Sequence, residues 1–187
     1  MPLITSSSYG SIVVSETAVW DPASNLNMTF VSDTVVSDNS SDADPMRVLT
    51  FTFKSSGKYY LEFTTSTNNI GGCVIGLAPA TYDGVWTYTP NYTYYPYWNR
   101  VYINGILQAD IGGDKNNTVI GMAYDADTNV IAIYSDNVLV DSRSWSPGVA
   151  VSPMCRGDES GHNITSTTTW SGFTYTPPAG HVAWPNS

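Results

Sequence analysis

The sequence predicts an all-β protein built as a two-sheet antiparallel β-sandwich. Three observations predict it. Helix-favouring residues are scarce, with three Glu, three Lys and seven Leu among 187 residues, while Thr, Val, Tyr and Ile suit pleated, half-buried strands. Short apolar or alternating runs recur at close intervals, each closed by turn residues. No helical period persists for three turns, and no repeat of solenoid or propeller length occurs. The length fits one domain, and 42% apolar residues supply its core.

Residues 1–18 read as an N-terminal arm or first strand, with SIVV its apolar run, and residues 19–187 as the sandwich domain. The stretch DTVVSDNSSDADP, from Asp33 to Pro45, is polar and acidic and reads as a surface loop. MRVLTFTF then alternates, which places Leu49, Phe51 and Phe53 on one face. Ser56-Gly57 turns the chain into KYYLEFT, where Tyr59, Leu61 and Phe63 face one way and Tyr60 and Glu62 the other. CVIGLA is the next strand. Asn104-Gly105 joins NRVYI to ILQADI as a hairpin, because both turn residues tolerate positive φ. TVIGMAY, NVIAIY and NVLVDS form a three-strand meander with turns at DADT and SD, and VAVSPMC and NITSTTTW close a series of about ten strands.

One segment stands apart. Thr81 to Tyr102 holds seven of the thirteen tyrosines and two of the six tryptophans. Pro90 and Pro96 lack backbone donors, which predicts loop or sheet edge for most of it. In YYPYW, alternate side chains point oppositely, so Tyr94, Tyr95, Tyr97 and Trp98 are not expected all to face inward. Either the rings fold back over one sheet as a lid, or they form a docking surface of Tyr82, Trp86, Tyr88, Tyr92, Tyr94, Tyr95, Tyr97, Trp98 and Tyr102. The docking surface is the expectation carried forward, since Tyr and Trp offer large rigid contacts with polar tips.

Charge and motif content narrow the function. The net charge is −9 and the seven Lys and Arg are dispersed, which argues against nucleic acid and anionic membranes as partners. No stretch approaches the roughly 18 apolar residues of a membrane span, and MPLITSSSYGS carries no signal-peptide pattern. Cys73 and Cys155 each lie in an apolar run, which predicts two buried thiols rather than a bridge. Two His, three Glu and no G-x-S-x-G or H-E-x-x-H give no catalytic constellation, so no enzyme, cofactor or metal is expected. Asp125 and Asp127 could offer oxygens to calcium, but the glycine and terminal Glu of an EF-hand loop are missing, and a hydrogen-bonded turn is favoured. Glu62, mid-strand, reads as a buried carboxylate fixing a loop. The Arg156-Gly157-Asp158 tripeptide is expected in a loop and, like the five Asn-x-Ser/Thr sequons, reads as compositional coincidence.

Three stretches together resemble a known family. SSGKYYLEFT (55–64) is similar to the G-K-[WY]-Y-[WF]-E-[VF] strand of SPRY domains, and VIGMAYDADTNVIAIYSDNVLV (119–140) to their meander. GFTYTPPAGHVAW (172–184) resembles the closing strand and tail of SPRY-like domains in bacteriophage virion proteins. The family's turn glycine is Asn129 here, and its Asn-Gly is Asn137-Val138, so that hairpin needs a different turn. The resemblance implies a concanavalin-like jelly-roll sandwich acting as a binding module. It further implies a non-enzymatic virion protein, such as a decoration, tail-tip or adaptor subunit. Expected partners are other virion proteins or a host surface glycan or protein, with self-association inside the particle. Two alternatives stand beside it: a glycan- or host-receptor-binding tail protein, and a cellular SPRY adaptor for peptides.

Overall fold

The computed structural model describes residues 20–24, 28–32, 35–38, 48–49, 52–67, 73–83, 90–157, 164–169 and 172–184. The predicted arm lies outside them, as do Phe51, Trp86 and Tyr88. Fourteen strands fall within the described residues, in two sheets. They are β1 (Thr29–Ser32), β2 (Val35–Asp38), β3 (Val48–Leu49), β4 (Lys58–Thr67), β5 (Cys73–Ala78), β6 (Tyr92–Tyr95) and β7 (Arg100–Ile103). The second half supplies β8 (Ile106–Asp110), β9 (Val119–Asp125), β10 (Val130–Ser135), β11 (Val138–Ser144), β12 (Ser152–Gly157), β13 (Ile164–Thr169) and β14 (Val182–Ala183).

The first sheet runs β1-β2-β13-β4-β9-β10-β11, and β14 adds to it beside β4; the second runs β3-β12-β5-β6-β7-β8. Every pairing is antiparallel except β14 with β4. The expected all-β sandwich is the observed architecture, and its meander is β9-β10-β11.

Alternation sorts side chains as the sequence predicts. On β4, Tyr59, Leu61 and Phe63 join the core between the sheets, whereas Tyr60 faces outward with Ala123 and Ala132. Ile75, Leu77, Val101, Ile120, Met122, Ile131 and Ile133 fill the same core, closed by Trp20, Trp145 and Trp184. Turn chemistry also follows the residues. Asn104 (φ 53°) and Gly105 (φ 73°) form the hairpin turn between β7 and β8. Asn129 takes φ 56° in the β9–β10 turn, where the resemblance led one to expect glycine. The β10–β11 hairpin does use another turn: Asp136 and Asn137 both have positive φ, the requirement of a type I′ loop.

Three expectations need correction. Val35–Asp38, inside the predicted acidic loop, is strand β2, paired on both sides by β1 and β13. Its Val-Val pair gives β propensity that the surrounding Ser and Asp obscured. Tyr92–Tyr95 is an interior strand between β5 and β6's other neighbour β7, not a loop or edge. Pro90 and Pro96 lie outside that strand, so their missing donors bound it without breaking the ladder. Arg156 and Gly157 end strand β12 rather than occupying a loop, and Asp158 lies outside the described residues.

Chain closure positions the last element. After β13, residues 172–181 cross the outer face of the first sheet, and Phe173 meets the Tyr60 ring edge-on at 5.0 Å. The chain then lies parallel to β4 at Tyr59 and Tyr60 and buries Trp184 in the core. The indole N–H of Trp184 donates to the carbonyl of Thr52 at 3.1 Å.

Candidate functional site

The aromatic segment divides between two sides of the second sheet. Tyr92 and Tyr94 are 0% exposed and point between the sheets. Tyr95 and Tyr82, 3% and 1% exposed, lie on the outer face with Val74, Ala78 and Met154. The expectation that these four form part of an accessible docking surface is therefore corrected. Alternation does send Tyr94 and Tyr95 opposite ways, but each finds a packed environment. The outer face has a small core of its own, and burying each such ring stabilises the fold by about 2–3 kcal/mol.

The polar tips of Tyr92 and Tyr94 are accommodated. The Tyr94 hydroxyl donates to Asn99 Oδ1 at 2.8 Å, and Asn99 in turn donates to the Gly112 carbonyl at 2.8 Å. The Tyr92 hydroxyl approaches Asp141 at 3.4 Å, linking the two sheets. Burial raises the pKa of both phenols above their ordinary value, with Asp141 adding to the shift.

Tyr97, Trp98 and Tyr102 are half-buried, so part of each ring reaches the surface. Trp98 stacks on Tyr95 at 5.7 Å, Tyr102 leans on Tyr95 at 5.3 Å, and Tyr97 meets Trp98 edge-on. The Arg100 guanidinium lies 5.4 Å from the Trp98 ring centroid and pairs with Asp110 at 2.8 Å. Across the hairpin, Tyr102 pairs with Leu107, which is exposed. These six residues form one patch ending at β8, the last strand of its sheet, where Ile106 is also exposed.

Of the residues expected from the sequence, Tyr97, Trp98 and Tyr102 lie in this patch, and Arg100, Leu107 and Asp110 were not among those expected. The signal was present: counting outward from a two-residue Asn104-Gly105 turn pairs Ile103 with Ile106 and Tyr102 with Leu107.

Two acidic positions have the structural roles expected of them. Glu62 is buried; its carboxylate accepts the backbone N–H groups of Thr174 and Tyr175 at 2.7 and 2.9 Å, and the Tyr60 hydroxyl at 3.2 Å. Asp125 accepts the N–H groups of Asp127 and Thr128 and pairs with Lys58 at 2.9 Å. Burial pushes the Asp125 carboxyl up, but hydrogen bonds from Lys58 and Thr128 outweigh it and hold its pKa at about 2. Asp127 accepts the Gly57 N–H, tying two turns together. Both carboxylates are thus committed to turns. Cys155 is buried, whereas the Cys73 side chain lies outside the description. Among the described residues no helix is long and apolar enough to cross a membrane.

No protein-family model matches the chain, and no curated relative does. Solved structures do. The SPRY domain of human HERC1 superposes with a TM-score of 0.68 at 16% identity, over 82% of this chain and 99% of that one. The TRIM65 PSpry domain gives 0.62 at 17% identity, over 82% and 92%. A human SPRY domain gives 0.56 at 15%, over 76% and 95%. The chain has a SPRY-like, concanavalin-type β-sandwich fold. At these identities the likeness concerns fold alone.

Proposed function

We propose that this chain is a non-enzymatic binding module that grips another macromolecule through the outer face of its second sheet. The patch of Tyr97, Trp98, Arg100, Tyr102, Leu107 and Asp110 carries the proposal. It combines aromatic rings, an arginine and an apolar side chain around one centre, the composition of energetic hot spots at protein interfaces. The rings rest on a packed layer beneath them, so little side-chain freedom remains to be lost on contact.

We place the module in a bacteriophage virion, as a decoration, tail-tip or adaptor subunit. Support comes from the closing segment GFTYTPPAGHVAW, whose sequence resembles virion SPRY-like tails. Mass spectrometry and imaging of purified particles test this. Copies of the chain in the particle are the expected result, and their absence overturns the placement. The SPRY neighbours favour a second reading equally, a cellular adaptor for peptides. Capture of virion proteins, against capture of cellular peptides, by wild type but not by Trp98→Ala separates the two.

A further inference from the structure

Where residues 172–181 cross the first sheet, the fold leaves a hollow of about 160 Å³. Tyr60 of β4 and Tyr134 of β10 line it, with Asn137 from the β10–β11 turn and Thr176 and Pro178 from the crossing segment. Strand register explains the opening. Glu62 pairs with Gly121, and Gly121 pairs with Tyr134, so a residue without a side chain separates the carboxylate from the phenol. Tyr60 leans over that gap: a Cβ on Gly121 would lie 2.3 Å from the Tyr60 hydroxyl, which donates to Glu62.

The charge behind this wall is uncompensated. Glu62 is 1% exposed and accepts three hydrogen bonds, which satisfy its lone pairs but leave its negative charge in place. Asp136 adds a second carboxylate, next to Asn137 in the turn. Neither acid pairs with a cation among the described residues, whereas Asp110, Asp125 and Asp141 each do. The field reaches the phenols around the hollow. Burial is the first cause raising the Tyr60 and Tyr175 pKa values; the charge of Glu62 adds to both, and Asp136 adds to Tyr175.

The lining also defines ligand chemistry. Aromatic walls backed by negative charge attract a cation, and that attraction strengthens where water is excluded. An anion is disfavoured, because no cationic side chain lines the hollow. A bare ammonium carries three donors that each need an acceptor, and Glu62 already accepts three hydrogen bonds. An alkylated ammonium needs none, and its methyl groups suit the Pro178 ring and the phenol faces. We propose that this hollow binds a quaternary ammonium group between Tyr60 and Tyr134, within the field of Glu62. The site lies on the opposite sheet from the aromatic patch and does not depend on it.

Titration with choline chloride at millimolar concentrations tests the site, read from the backbone amide resonances of Thr174 and Tyr175. Sodium chloride and the uncharged carbon isostere of choline serve as controls. Saturable shifts are expected with choline, at an affinity about tenfold above that of the isostere. Tyr134→Leu keeps an apolar side chain on β10 but removes the ring face, and weakens choline binding about tenfold. The isostere comparison uses the wild-type chain, so it decides even if Tyr134→Leu fails to fold. A parallel titration with a trimethyllysine amide tells a protein side chain from choline as the source, by the tighter binder. Trp98→Ala leaves both titrations unchanged even if the outer-face proposal fails. Absence of saturation with either cation, equal affinity for the isostere, or unchanged affinity in folded Tyr134→Leu overturns the assignment.

Discussion

The carboxylate of Glu62 accepts the backbone N–H of Thr174 at 2.7 Å, joining residues 112 positions apart in the chain. A second oxygen takes Tyr175, so one side chain of β4 fastens the segment that crosses the first sheet. That segment covers Tyr60, Ala123 and Ala132 before delivering Trp184 to the core.

Replacing Glu62 by Ala strands two N–H groups in a part-buried site. The expected loss is about 2–4 kcal/mol, measured by urea unfolding, since each unpaired group costs about 1–3 kcal/mol. Limited proteolysis should then cut first within residues 172–181, while Glu62→Gln keeps one acceptor oxygen for the two N–H groups and loses less than Glu62→Ala.

The aromatic segment gives opposite outcomes at neighbouring positions. Tyr94→Ala empties a core site and costs about 3–5 kcal/mol. Trp98→Ala costs about 1 kcal/mol and leaves the fold intact, because part of its ring faces solvent. Circular dichroism melts compare the two, and partner capture by the stable variant then reports on binding alone.

Acid stability should depend on Asp125. Its folded pKa, about 2, lies below the ordinary 3.8, so the stabilisation is fully present above pH 3.8 and is lost as pH falls through 2. Asp125→Asn removes this contribution. The difference in unfolding free energy between wild type and variant should shrink between pH 4 and pH 2. A constant difference across that window refutes the assignment.

The β10–β11 turn is open to a direct check. Asn137 sits at φ 65°, so Asn137→Gly should be neutral within about 0.5 kcal/mol, whereas Asn137→Ala should cost about 1 kcal/mol. Thermal melts of both variants provide the comparison.

Much of the fold was legible. Leu61, Phe63 and Tyr60 took the sides that their alternation assigned, and Asn104-Gly105 turned where its φ tolerance placed it. Strand β2 was hidden because its two valines sit within a polar, acidic run. The aromatic site was half legible. Pro90 and Pro96 gave the ends of β6 but were read as excluding it, and Trp98 was found without its partners Arg100 and Asp110.

The sequence by itself determined the two-residue period, the turn positions and hence a sandwich, because these depend on backbone sterics and near neighbours. Only the tertiary structure decided which rings reach water. Alternation assigns Tyr95 a face, but that face is dry because Val74 and Ala78 of β5, Met154 of β12 and Phe53 gather there with Tyr82 and Trp98. The same holds for a hollow of about 270 Å³ lined by Ser55, Tyr124, Asn129 and Pro147, whose walls come from the approach to β4, the β9–β10 turn and the β11–β12 connection. Burial is a property of what packs above a residue, and that is set by distant chain segments.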